Sequence, residues 1–100
     1  MRLSDEYLQG RTVVAADGQA IGEIAAVFID RDTWRVESLQ VKLRKDVADQ
    51  LGAKHGLFQA GTLELPIRMV QSVGDAIVLS VATPELREVS PRVNDASAAQ

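Results

Sequence analysis

A chain of 100 residues with 46% hydrophobic and 25% charged residues carries one modest core and is neither disordered nor two domains. The absence of cysteine excludes disulfides, zinc ribbons and thiol nucleophiles. A net charge of −3 argues against a general binder of phosphate backbones, which needs a basic surface.

The stretch Leu8 to Ala15 reads as a first strand, with Thr12, Val13 and Val14 supplying β-branched side chains. Asp17-Gly18 closes it as a tight hairpin turn, because glycine tolerates a positive φ there. Ile21 to Asp30 is the second strand. Its apolar residues break a strict period of two, and Gly22 marks a bulge or sharp bend.

A polar turn, Asp30 to Thr33, leads into a third strand from Trp34 to Leu43. Leu39, Val41 and Leu43 alternate there with Gln40 and Lys42, so one face is buried and the other wet. Val36 stands out of that register, which predicts a second bulge near Glu37-Ser38. The period then changes. Val47 and Leu51 lie four apart and Gly52 is placed as a C-cap, which predicts one short helix over residues 44–51.

Residues 53–61 read as loop, and Leu63 to Pro66 as a fourth strand ended by proline. Ile67 to Val70 reads as a helical turn. Val70–Val73 and Ala76–Val81 then flank the turn Gly74-Asp75, with Ile77, Leu79 and Val81 on one face. Thr83 as N-cap with Pro84 behind it predicts a terminal helical turn. Together these elements predict an all-β fold of six antiparallel strands over residues 1–88. Residues 89–100, rich in Ser, Ala and Asn, read as a flexible C-terminal tail.

Leu8-x-Gly10, Val13, Asp17-Gly18, Ile21-Gly22, Ile24, Val27, Ile29-Asp30, Val36 and Leu39 resemble the first half of a PRC-barrel domain. Leu65-Pro66, Val70, Val73-Gly74-Asp75, Ile77 and Leu79 resemble its second half. The resemblance spans roughly residues 5 to 88 and rests on the order of the motifs, since each motif alone is common. It implies a small six-stranded antiparallel β-barrel first named from the cytoplasmic part of a photosynthetic reaction-centre subunit. Similar domains form half of a ribosome-maturation factor, and others are free-standing proteins, some acting in cell division. Protein–protein contact without a catalytic motif is their common thread. The helix ending Leu51-Gly52-x-Lys54 and the Val73-Gly74-Asp75 turn look more like the free-standing group.

No side-chain constellation adds a competing chemistry. His55, the one histidine, lacks the cysteine or carboxylate companions of a zinc shell, and reads as an exposed loop residue. His55→Ala should therefore leave fold and activity intact. Asp30-x-Asp32 lacks the glycine and distal glutamate of a calcium loop, and turn formation explains it. Lys42, Arg44, Lys45 and Lys54 are interleaved with Glu37, Asp46 and Asp49, a mixed solvated face rather than a basic stripe. Six strands also enclose too little volume for a ligand chamber. The expectations are thus no enzyme, no catalytic residue, no cofactor and no metal.

Apolar residues at turns are more informative. Trp34, at a strand end, is either a core or barrel-end plug or an interface anchor, and the plug reading makes Trp34→Ala cost about 3–5 kcal/mol. Leu57-Phe58, in the loop after the short helix, either covers the barrel mouth or docks on another chain. Trp34, Leu57 and Phe58 are the interface candidates. The expected function is a self-associating scaffolding module, a homodimer within a larger cytoplasmic assembly, without a membrane span. The alternative is an accessory protein of RNA metabolism or ribosome maturation, which four aromatics in an acidic chain fit poorly.

Overall fold

The computed structural model describes residues 2–52 and 61–88. Its strands are β1 (Thr12–Val14), β2 (Ala20–Ile29), β3 (Val36–Leu43), β4 (Thr62–Pro66), β5 (Val70–Val73) and β6 (Ala76–Leu79). They form one sheet in the order β4-β3-β2-β1-β6-β5. Helix α1 (Asp5–Leu8) precedes the strands, and α2 (Lys45–Gln50) follows β3. Two 3-10 turns, Ile67–Met69 and Thr83–Glu88, complete the described chain. The fold is all-β, as the turn residues and alternating segments predict.

Two features of the predicted barrel are corrected. The sheet is mixed, because β6 pairs parallel to β1 with Val13 opposite Ile77. It is also not closed, because β4 and β5 remain its two edges. The parallel pair follows from the 3-10 turn at Ile67–Met69. That single turn after Pro66 offsets the chain without reversing it, so β5 keeps the sense of β4. The hairpin at Gly74-Asp75 then brings β6 back antiparallel to β5 and parallel to β1. A purely antiparallel meander would need a reversal at every connection.

Core placement follows the alternation. Leu39, Val41 and Leu43 are buried on one face of β3, and Ile77 and Leu79 on the same side of β6. Val47 and Leu51 of the α2 segment are buried against them, which docks a helix too short to stand in water alone. Leu86 of the second 3-10 turn is likewise wholly buried. Bending is distributed over four register shifts. They leave Ile21, Ala25, Glu37 and Gln71 as extra residues, Ile21 beside Gly22 and Glu37 where Val36 leaves the alternation.

Helix α1 and the strand boundaries depart from the sequence reading. Leu8 belongs to α1, not to a first strand, which is confined to Thr12–Val14. The Ser4 side chain caps α1 by accepting from the Tyr7 N–H at 3.0 Å. Tyr7 then donates its hydroxyl to the Gly74 carbonyl at 2.8 Å, and the Arg11 guanidinium lies 3.9 Å from its ring centre. The N-terminal turn is thereby fastened to the β5–β6 hairpin. Four residues of helix carry too little periodicity to be seen in sequence.

Candidate functional site

The β2–β3 hairpin ends in a loop over-determined by hydrogen bonds. Asp30 donates its N–H to the Arg35 carbonyl at 2.8 Å and accepts the Trp34 N–H at its own carbonyl at 2.7 Å. Its side-chain Oδ1 accepts from the Asp32 and Thr33 N–H groups at 2.8 and 3.1 Å. The Arg35 N–H donates to Thr33 Oγ1 at 3.3 Å. Asp30 thus acts as a turn-former, the role its sequence context assigns.

This loop sets Trp34 at φ +63°, a left-handed conformation that a bulky side chain adopts at a cost of about 1 kcal/mol or more. Trp34 is 79% exposed. Trp34 is therefore not a core or barrel-end plug, and β3 begins two residues later, at Val36. The correction has a backbone cause: the connection over residues 30–35 rejoins the strand through a left-handed residue, and Trp34 holds that position.

Apolar surface continues from the loop. Ile29 and Val36 face each other as Cα partners and are 50% and 37% exposed, beyond the end of the packed core. Leu3, 45% exposed, stands across from them on the N-terminal segment. Between lies a groove of about 610 Å³, floored by Leu8, Ala26 and Val27 and edged by Ser4, Asp5 and Gln9. Its walls are mainly aliphatic, which suits an apolar side chain. Residues so far apart in sequence meet because α1 packs beside β2, and no local pattern announces it. His55, Leu57 and Phe58 lie outside the described residues.

A family model for the PRC-barrel domain matches residues 2–85. The chain belongs to the PRC-barrel domain family. A comparison with curated proteins finds no match. In this PRC-barrel domain the groove and the Trp34 loop occupy one end of the β2–β3 hairpin. A shallower depression of about 380 Å³ lies elsewhere, lined by Thr12, Gly22, Glu23, Lys42 and Arg44. Arg44 faces Asp46 there at 3.4 Å, an exposed pair of the kind that contributes about 0–1 kcal/mol. Among the described residues, no three His, Asp or Glu side chains gather as metal ligands, and no helix is long and apolar enough to cross a membrane.

Among the described residues one carboxylate is perturbed, and its role is structural. Asp17 Oδ1 accepts the Thr83 hydroxyl at 3.1 Å, and Oδ2 accepts the Thr83 N–H at 3.2 Å. Loss of hydration raises the Asp17 pKa, but these bonds and one from the Gln19 N–H outweigh it and hold the carboxyl below its ordinary value. Thr83 is wholly buried and spends its hydroxyl on Asp17 instead of capping the turn that follows. The cap comes from Glu85, whose Oε1 accepts the Ala82 N–H at 2.6 Å. Because the folded pKa is depressed, the latch contributes its full stability above the unfolded value near 3.8, and loses it as pH falls through the folded value. Thermal unfolding between pH 6 and pH 2.5 should accordingly show the wild type losing more of its midpoint than Asp17→Asn. Parallel curves would show that the latch carries no linked proton.

Proposed function

We propose that this PRC-barrel domain is a non-enzymatic protein-contact module that self-associates and scaffolds a larger cytoplasmic assembly. The exposed, left-handed Trp34 carries the reading. Sequence could satisfy that loop position cheaply with glycine or asparagine, and instead places there the residue most enriched at binding hot spots. Backbone strain of this kind is retained where a function needs the side chain it presents. The adjoining aliphatic groove adds an unfilled apolar surface at the same end. The family resemblance, with protein contact as its common thread, points the same way.

Affinity capture from native cytosol, with wild type beside Trp34→Gly, tests the proposal. A contact module retains at least one specific protein, its own copies included, and the variant loses it. Equal retention by both chains, or retention of nothing, contradicts the proposal.

A further inference from the structure

We infer that the hairpin end is a self-complementary two-fold interface: Trp34 of each protomer seats in the Leu3–Ile29–Val36 groove of a second copy. The inference rests on the contact-module reading and specifies its partner. Area is the first argument. Leu3, Ile29, Trp34 and Val36 are each more than a third exposed. They leave on the order of 400 Å² of apolar surface per protomer in water, and with the polar rim of Arg31, Arg35 and Asp5 two copies approach the ~1,000 Å² at which specific interfaces begin. The groove, at about 610 Å³, has room for an indole ring.

Charge complementarity selects the second copy. Arg31 and Arg35 flank Trp34 on the hairpin, while Asp5 edges the groove with Glu6 next to it on α1, and all four are exposed. None of them is in an ion pair among the described residues. Seating Trp34 in a partner's groove brings the two arginines toward two carboxylates, twice over by symmetry. Plug, groove, cations and anions all belong to one chain, so no other protein is needed to satisfy them. Plug and groove also share one hairpin, which favours a closed pair over an open filament.

Sedimentation equilibrium with four chains decides the matter. Wild type should approach twice its 10.8 kDa mass as concentration rises. Trp34→Gly should weaken association at least a hundredfold. Measured at monomer dilution, its unfolding midpoint should equal or exceed that of wild type, because glycine accepts φ +63° without strain. A purely structural Trp34 would instead lower that midpoint. The double variants Arg31→Glu/Arg35→Glu and Asp5→Arg/Glu6→Arg should each remain monomeric alone and form a one-to-one pair when mixed. A wild type that stays at 10.8 kDa at every concentration overturns the inference, as does a dimer indifferent to Trp34→Gly or a mixture that fails to pair. If such a monomer still captures another protein through Trp34, the contact-module reading survives without the two-fold interface.

Discussion

Alanine at Gly22 should lower stability by about 3 kcal/mol, seen as a large drop in the urea midpoint with little change in slope. A Cβ built there lies 2.1 Å from the Lys42 carbonyl oxygen, 2.9 Å from its carbonyl carbon and 3.0 Å from the Leu43 Cα. All three are main-chain atoms, so no rotamer change clears them. The variant must pry β2 from β3 where Gly22 faces Leu43 and Glu23 faces Lys42. Gly18 is the control. It sits at φ +89° with nothing within 4 Å of a built Cβ, so alanine there meets conformational strain alone and should cost about 1 kcal/mol. A Gly22→Ala protein with a wild-type midpoint would contradict the described approach of the two strands.

The second large effect is expected at Ile77. Its side chain is wholly buried, with Val13 of β1 on one side and Val73 of β5 on the other. Ile77→Ala should cost about 2–5 kcal/mol, the lost transfer energy together with a cavity that a sheet anchored on both flanks cannot collapse. Trp34→Ala, by contrast, should change the stability of the monomer by no more than about 0.5 kcal/mol. That reverses the ranking a buried tryptophan would produce. Urea unfolding of both variants at high dilution checks it, and a Trp34→Ala loss as large as that of Ile77→Ala would contradict the exposed loop.

What the sequence made legible is local. Leu39, Val41 and Leu43 declared their face by alternation, Val47 and Leu51 their helix by spacing, and Val36 its bulge by falling out of register. The parallel pairing of β1 with β6 was hidden, because it depends on whether Ile67–Met69 reverses the chain, and a short helical turn can do either. Trp34 misled as a core candidate because hydrophobicity says nothing about a loop's backbone geometry, and that geometry places the indole in water. The groove was invisible for a different reason. Leu3, Ile29 and Val36 meet through the docking of a four-residue helix, and neither the helix nor its long-range anchor at Gly74 leaves a periodic trace. Asp17 was readable as a turn residue, whereas its hold on Thr83, 66 residues away, was not.

The central claim is that Trp34 is displayed in order to be covered by another protein. Since Trp34 is the chain's one tryptophan, its fluorescence reports that site without any substitution. Emission followed from nanomolar to high micromolar protein should begin at the red-shifted maximum of an indole in water. It should move to the blue along the same concentration curve as the increase in mass. An emission maximum that is already blue at dilution, or one that stays red at every concentration and with every captured protein, would contradict the account.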